Sequence, residues 1–151
     1  AGHGPRVASL QNEYSLMCRL YDTDLAEVGV QEGITLLAYS TLATGMLSGK
    51  YSGGAVPAGS RRSINRELGG RSNPRAFEIA ALYVALAREA GLDPVTMAVA
   101  WVRARPFPVV PIIGATSVGQ LEKSLDAAGM VLDKTLLGAI ERVHHGHPMP
   151  F

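Results

Sequence analysis

The segment Ile34-Thr35-Leu36-Leu37-Ala38-Tyr39-Ser40 decides which fold class the sequence predicts. Its apolar run has the length of one strand, and such a run is typical of a strand buried on both faces, as in a parallel sheet. We therefore predict a strand over residues 34–38. Residues 109–113 form a second run of this kind, and residues 6–10 are a shorter third candidate.

Helix signals alternate with these strand candidates. Asp24 and Gly33 suit the two caps of one helix. Start signals for four more helices follow, at Asn73-Pro74, Asp93-Pro94, Ser117 and Asp133. Helical spacing places these residues on the inner faces: Ile79, Leu82, Tyr83, Leu86, Ala90, Met97, Ala98, Trp101, Ala104, Val118, Leu121, Leu125, Leu136, Leu137, Ile140 and Val143.

Strands that alternate with helices imply an α/β fold, with helices packed outside a parallel sheet. Residues 41–73 have many Gly, Ser, Pro and Arg residues and no periodicity, so we predict a long loop there, with one helical turn near Leu47. Three strands are too few for a closed parallel barrel, which needs eight strands and about 250 residues. An open sheet would leave two apolar edges unpaired, so we expect it to need a partner outside this chain.

The composition is that of a soluble globular protein, since 47% of the residues are apolar and 18% are charged. A formal net charge of +1 provides no basic stripe, so we predict no nucleic-acid partner. No apolar stretch approaches the roughly 20 residues of a membrane span, so we predict no membrane partner and a cytoplasmic location. Cys18 stands alone and is predicted to be a buried, inert thiol. We expect the Gly/Pro-rich residues 1–5, with His3, to be a joint in a longer protein.

Ligands of parallel α/β proteins bind where strands end. Three polar segments occupy such places: Gln11-Asn12, Tyr39-Ser40 and Gly114-Ala115-Thr116. Glycine allows close backbone approach, and hydroxyls beside a helix N-terminus suit an anion. Two alternatives stay open. Thr116 and Ser117 can simply cap the helix, and the Tyr39 ring can cover the core instead of stacking on a ligand.

Three longer runs carry a family resemblance. They are Gln11-Asn12-Glu13-Tyr14-Ser15-Leu16, the run LAYSTLATGMLSGKY from Leu37 to Tyr51, and Pro111-Ile112-Ile113-Gly114-Ala115-Thr116-Ser117 with Gln120-Leu121. These runs resemble the aldo-keto reductases, above all the bacterial branch that also resembles potassium-channel beta subunits. The resemblance implies that residues 1–151 are the C-terminal half of a (β/α)8 TIM barrel: strands six to eight with their helices and two extra helices. The chain would then be incomplete as a domain.

The resemblance also implies a site for NADPH. Gln11 matches a glutamine that binds the nicotinamide carboxamide, and Tyr39 matches the aromatic residue that stacks on the nicotinamide ring. Stacking fixes which face of the ring meets the substrate. The loop residues that match the pyrophosphate-binding segment and the basic positions near the phosphates are Ser40, Thr41, Leu42, Gly45, Lys50 and Arg61.

The adenosine end of NADPH is matched less closely. Gly114, Thr116 and Gln120 match the pocket for the adenosine 2′-phosphate and adenine, which favours NADPH over NADH. Lys123 and Ser124 stand where the family often has a glutamate and an asparagine. Lys123 can still meet a phosphate as a point charge, whereas Ser124 reaches less far than asparagine.

The family's catalytic tyrosine, lysine, aspartate and histidine match nothing in this chain, and the resemblance places all four on the first half of the barrel. We therefore predict no catalytic residue here. We also predict no metal site: the C-terminal histidines have a spacing that permits a metal, but a solvated tail is the favoured interpretation. The residues considered and set aside are Tyr14, Tyr21, Tyr51, Tyr83, His144, His145 and His147.

We predict that the chain is part of an NADPH-dependent oxidoreductase that reduces aldehydes or ketones to alcohols by hydride transfer, and that it contributes the cofactor-binding half. The expected partners are a small carbonyl substrate and a missing N-terminal half-barrel. The alternatives are a regulatory NADPH-binding protein like the channel beta subunits, and a half-barrel scaffold that binds nothing. We expect the chain by itself to lack reductase activity and to self-associate through its open sheet edges.

Overall fold

The computed structural model describes residues 4–151, so His3 and most of the predicted joint lie outside the described residues. Within that range three strands alternate with helices in the predicted order. The elements are β1 (Ser9–Glu13), α1 (Leu25–Glu32), β2 (Thr35–Tyr39), α2 (Arg61–Ile64), α3 (Pro74–Glu89), α4 (Pro94–Arg103), β3 (Val109–Pro111), α5 (Val118–Leu125) and α6 (Lys134–Gly146). None of the helices between residues 4 and 151 has the length and apolar content needed to cross a membrane.

The three strands form one parallel sheet in the order β1, β2, β3, so β2 is central. Successive side chains of a strand point to opposite faces. On one face Leu36 and Ala38 are fully buried in a core shared with α3 and α4. The opposite face, which we call the inner face, carries Gln11, Glu13, Leu37, Tyr39 and Val110.

Two strand predictions are corrected by the structure. The first strand begins at Ser9 instead of Arg6, so Gln11 lies inside β1 and not after it. The inner face of this edge strand is polar, and therefore no apolar run marks it in the sequence. The second strand is predicted to within one residue, but only alternate residues are buried, and Tyr39 is 38% exposed. On the inner face Gln11 and Tyr39 are exposed, whereas Arg71 of the long loop covers Glu13.

The core lies between the sheet and helices α3 and α4. Residues 95–102 of α4 are all buried, more than the one-sided stripe that the spacing predicts. Within α4, Trp101 stacks on Tyr14 with ring centroids 5.4 Å apart. Ile79 and Tyr83 of α3 are buried as predicted. Three predicted inner residues are exposed. Leu82 lies beside the buried stripe of α3, and Ala90 and Ala104 follow the last turns of α3 and α4.

Helix α5 contradicts its predicted packing. All three predicted inner residues are exposed, Val118 by 73%, together with Leu121 and Leu125. The buried residue of this helix is Ser124. Helical spacing identifies the apolar face of a helix, but it does not identify the element that packs against that face. No part of the described chain packs against the apolar face of α5. Helix α6 differs, because Leu136 and Ile140 are buried as predicted.

Candidate functional site

Two of the three polar segments predicted at strand ends, Tyr39-Ser40 and the turn at Gly114, lie at the carboxyl end of the sheet, whereas Gln11-Asn12 lies within β1. Strand β2 ends at Tyr39. Just beyond β3, the Ile112 amide donates a hydrogen bond to the Ala38 carbonyl at 2.8 Å, so the turn that begins at Gly114 follows the neighbouring strand at the same edge. Gln11 lies on β1, the strand on the other side of β2. Ligands of parallel α/β proteins bind at this end of the strands.

Gln11 and Tyr39 share the inner face. Gln11 is in register with Leu37, two residues before Tyr39 on the adjacent strand. Neighbouring strands lie about 4.8 Å apart, so the two side chains are diagonal neighbours. The Tyr39 ring does not belong to the hydrophobic core. The structure therefore does not support the alternative that the ring covers the core, and it leaves the ring available to a ligand.

The segment after Tyr39 has an unusual backbone. Three non-glycine residues within five positions have positive φ: Ser40 at 57°, Ala43 at 46° and Thr44 at 57°. The Ser40 carbonyl accepts from the Ala43 amide at 2.7 Å, and the Ser40 hydroxyl accepts from the Thr44 amide at 3.3 Å. Strained residues of this kind cluster at ligand clamps and persist only where the surroundings hold them. A Cβ at Gly45 would come within 2.8 Å of Cε of Lys50, so the lysine stem lies against this turn.

Some of the other predicted loop residues are buried or hydrogen-bonded within the loop, and one is exposed. Thr41 is buried, and the carbonyl of Leu42 accepts from the amides of Gly45 and Leu47 at 2.9 and 3.2 Å. The predicted helical turn near Leu47 is confirmed within the 3-10 segment Ala43–Ser48, in which Thr44 and Gly45 have non-helical φ and ψ. Arg61 is exposed at the start of α2, a helix that the sequence did not indicate. Its charge is therefore accessible to an anion.

The turn between β3 and α5 is held by its own side chains. Ser117 caps α5 as predicted, accepting from the Gln120 amide at 3.3 Å. Oε1 of Gln120 accepts from the Thr116 amide at 3.1 Å and from its hydroxyl at 3.2 Å. Gly114 is not at positive φ, and a Cβ there would meet nothing within 4 Å. Packing inside the described chain therefore gives no reason for glycine at this position.

The two residues that depart from the family pattern are engaged elsewhere. Nζ of Lys123 donates to the Asp93 carboxylate at 2.7 Å. Burial is the largest influence and acts to raise the pKa of Asp93, but the hydrogen bonds from Lys123 and from the Val95 and Thr96 amides, together with the Lys123 charge, outweigh it, so the pKa lies below its usual value. The buried Ser124 hydroxyl donates to the Gln120 carbonyl at 3.2 Å. Ser124 also lines an apolar pocket of about 130 Å³ between α4, β3 and α5. The structure thus separates Ser124 from the exposed side chains of the site.

An ion pair at the same edge was missed by the sequence interpretation. Glu13 lies on the inner face in register with Tyr39. Arg71, near the end of the long loop, donates from Nε to one Glu13 oxygen at 2.9 Å and from Nη2 to the other. Glu13 follows Gln11 by two residues on the same strand face, which was an available signal. Nothing in the sequence marks Arg71, which is 58 residues away.

Burial changes the pKa values of tyrosines and of the single cysteine among the described residues. Burial raises the pKa of Tyr14 and Tyr83, away from the value that a proton donor needs at neutral pH. Cys18 is buried as predicted, and burial raises the pKa of its thiol. His144 and His145 belong to α6 and not to a solvated tail, because the helix continues to Gly146. In the part of the chain that the structure describes, no three side chains gather as metal ligands would.

Comparison with known proteins places this geometry in context. The model of the "Aldo/keto reductase family" matches residues 2–145. Protein tas of Escherichia coli is 41% identical over 146 residues, covering 97% of this chain and 42% of that protein. A probable voltage-gated potassium channel subunit beta of Arabidopsis thaliana is 31% identical, covering 96% of this chain and 45% of that protein. This chain therefore spans less than half the length of these relatives.

A solved structure supports the fold. A glycerol dehydrogenase of Gluconobacter oxydans superimposes with a TM-score of 0.74 at 24% sequence identity, covering 95% of this chain and 44% of that one. The three-stranded parallel sheet with its helices is thus an arrangement found within that larger enzyme. Together with the match over residues 2–145, these relatives show that the chain belongs to the aldo/keto reductase family.

Proposed function

We propose that this chain is the NADPH-binding part of a reductase that converts aldehydes or ketones to alcohols, equivalent to strands six to eight of a (β/α)8 barrel with two extra helices. The main support for the proposal is that three features of the chain lie together at the same end of the sheet. The exposed Tyr39 ring, the strained turn after it and the open turn at Gly114 follow neighbouring parallel strands at one edge. The family membership and the structural likeness support it.

Each residue has a distinct task in this proposal. Gln11 binds the carboxamide, Tyr39 stacks on the nicotinamide ring, and the segment from Ser40 to Gly45 runs under the pyrophosphate with Lys50 and Arg61 near the phosphates. The free amides at the start of α5 and the Thr116 hydroxyl suit the 2′-phosphate. When bound, NADPH supplies a hydride. The proton donor comes from the proposed N-terminal half-barrel, which also covers the inner face and the exposed side of α5; without it the chain has no turnover and self-associates.

Replacing Tyr39 by alanine is expected to raise the Kd for NADPH about tenfold, because stacking on an aromatic ring contributes about 1–3 kcal/mol. Tyr39→Phe keeps the ring and is the matched control, with a Kd close to that of the wild type. The measurement is a titration that follows nicotinamide fluorescence. Equal affinity of the alanine and phenylalanine variants would remove Tyr39 from the site, and absence of saturable binding by the wild-type protein would overturn the proposed function.

Gly114→Ala tests the other end of the dinucleotide. The free energy of unfolding is expected to stay the same or rise by up to about 1 kcal/mol, because an added methyl group meets open space at a permitted φ. NADPH binding is expected to weaken about tenfold, because the methyl group occupies space that the cofactor backbone approaches. Gly129→Ala is the control, since a Cβ at Gly129 also meets nothing within 4 Å. Equal NADPH affinity of the two variants would contradict the assignment.

A regulatory NADPH-binding protein is the second candidate, favoured by the likeness to a potassium channel beta subunit. Both candidates bind NADPH, and turnover separates them. The full-length protein that contains this chain, supplied with an aldehyde series, oxidises NADPH steadily if it is a reductase. Saturable binding without turnover on any member of the series would favour the regulatory candidate.

A further inference from the structure

A cluster of buried polar atoms lies where α4 meets α3, α6 and the segment after β1. Five buried side-chain atoms have no hydrogen-bond partner among the described residues: Nε and Nη2 of Arg19, Nε of Arg105, Nε1 of Trp101 and the Tyr83 hydroxyl. Cζ of Arg19 lies 4.3 Å from the Trp101 ring centroid, and Cζ of Arg105 lies 4.6 Å from it. Native proteins leave few buried polar atoms unpaired, so five in one place require an explanation. We call these four residues the buried donor cluster.

Arg19 contributes an unused pair of donors to this cluster. Its Nη1 donates to both oxygens of Glu141, at 2.8 and 2.9 Å. Nε and Nη2 form a different edge of the guanidinium, the same edge with which Arg71 donates to both carboxylate oxygens of Glu13. Since the Arg19 side chain is only 3% exposed, bulk water does not satisfy this edge. The chain thus contains a buried donor fork with no acceptor of its own.

Tyr83 places a hydroxyl group near the same guanidinium. Burial raises the pKa of Tyr83, and the charge of Arg19 acts in the opposite direction, so the two groups are close. No hydrogen bond of acceptable geometry joins them. Because a tyrosine hydroxyl can turn its hydrogen toward an acceptor, Tyr83 can donate to a third group that also accepts from Arg19.

The cluster lacks acceptors and not donors. Guanidinium and indole N–H groups can only donate. Among the described residues, no buried side-chain carboxylate or amide oxygen is left without a partner. The two nearby carboxylates are engaged, Glu141 by Arg19 and Asp22 by the Tyr14 hydroxyl at 2.7 Å. A water molecule at this place would bring two O–H groups that need acceptors themselves, whereas an anion brings only acceptor capacity. The donor set therefore favours an anion over water.

We propose that the buried donor cluster binds a single halide ion, chloride in chloride-containing solution, between α3, α4 and α6. The ion accepts from the free edge of Arg19 and from the Tyr83 hydroxyl, and it lies beside the second guanidinium, that of Arg105. The unpaired atoms are closed to solvent, which favours a monatomic ion over phosphate or a carboxylate ligand. The ion stabilises the folded chain and takes no part in hydride transfer, so this inference does not depend on the proposed function.

The direct test is crystallographic. Crystals of the full-length protein that contains this chain are grown with sodium bromide, and bromide is located by its anomalous scattering. We expect a peak within hydrogen-bonding distance of Nε and Nη2 of Arg19. A data set without an anomalous peak at this place, including one that shows a water molecule there, would overturn the proposal.

A second test measures the unfolding midpoint in sodium chloride and in sodium gluconate at equal ionic strength, since gluconate is too large for a closed site. Chloride is expected to raise the midpoint by about 3 °C, because a ligand that binds only the folded state stabilises it. Arg19→Met should abolish this difference between the salts. Tyr83→Phe should at least halve it, and this conservative variant stays measurable if Arg19→Met does not fold. Arg75→Met, at an exposed position of α3, is the control and should keep the full difference.

The two tests together separate a built site from other causes. A bromide peak without any chloride-dependent midpoint in the wild type would identify an adventitious ion only, and the proposal would fail. A midpoint that falls equally in both salts for Tyr83→Phe would show that Tyr83 serves only as a partner of Arg19, which also contradicts the halide site. Neither result bears on NADPH binding, so the proposed function is tested separately.

Discussion

Replacing Trp101 by alanine is expected to lower the free energy of unfolding by about 4 kcal/mol, because truncating a large buried aromatic residue removes its transfer free energy and leaves a cavity. Trp101 is fully buried and stacks on Tyr14. Its ring also lies 4.3 Å from the Arg19 guanidinium and 4.6 Å from that of Arg105. The substitution therefore removes two cation–π contacts as well as the packing. Domains are stable by only about 5–15 kcal/mol, so the loss is a large share of the total.

The measurement is urea unfolding followed by far-ultraviolet circular dichroism, because Trp101 is the single tryptophan and its fluorescence is lost in the variant. Trp101→Phe keeps a buried ring and leaves a smaller cavity, so it is expected to cost roughly half as much as the alanine substitution and stays measurable if the alanine variant does not fold. Val131→Ala, at a strongly exposed position, is the control and should change stability by less than about 0.5 kcal/mol. A loss below about 1 kcal/mol for Trp101→Ala would contradict the packing around α4.

Local signals in the sequence predicted most of the fold. The apolar runs located β2 and β3, and the pairs Asn73-Pro74 and Asp93-Pro94 located the starts of α3 and α4. Asn73 and Asp93 accept hydrogen bonds from the first turns of these helices, so the caps act as predicted. These features are local, because each depends on a few neighbouring residues and not on what packs against them.

Features that depend on distant contacts could not be predicted. The apolar face of α5 was predicted correctly as a face, but its burial depends on an element that would cover it, and Val118 is exposed. Strand β1 carries polar residues on its inner face, so it was placed three residues too early. The partners Glu13 and Arg71 meet only because the loop returns to the sheet. Helix α2 has one turn and no apolar periodicity that would reveal it.

The candidate site likewise has features that the local sequence predicts and features that depend on distant packing. Parallel strands end at one edge, so the sequence order alone predicted that Tyr39 and the turn at Gly114 lie on the same edge. The exposed Tyr39 ring and the glycine that packing does not require then favour a ligand at that edge. The sequence could not predict that the Ser124 side chain is buried, because its burial depends on how α5 packs against α4. The strand ends therefore carry the exposed residues of the candidate site, whereas Ser124 of α5 lies buried beneath it.

Removing the carboxylate of Glu141 is the second change expected to have a large effect. Nη1 of Arg19 donates to both Glu141 oxygens, at 2.8 and 2.9 Å, and joins α6 to the segment after β1. The Arg19 side chain is only 3% exposed. Nη1 of Arg105 lies 3.9 Å from the same carboxylate. Glu141→Ala would leave a buried guanidinium unpaired with a second cation close to the same position.

The expected loss for Glu141→Ala is about 2–3 kcal/mol of unfolding free energy. Removing one partner of a fully buried pair costs about 3–5 kcal/mol, but Glu141 is 39% exposed and water partly replaces its carboxylate. Urea unfolding of Glu141→Ala, Arg19→Met and the double variant forms a cycle. The double variant should lose less than the sum of the single losses, because an apolar residue at position 19 no longer needs a carboxylate. Glu122→Ala, an exposed carboxylate on α5, is the control. Additive losses would show that Glu141 acts through α6 alone, and the ion pair would then not be what fastens this helix to the rest of the chain.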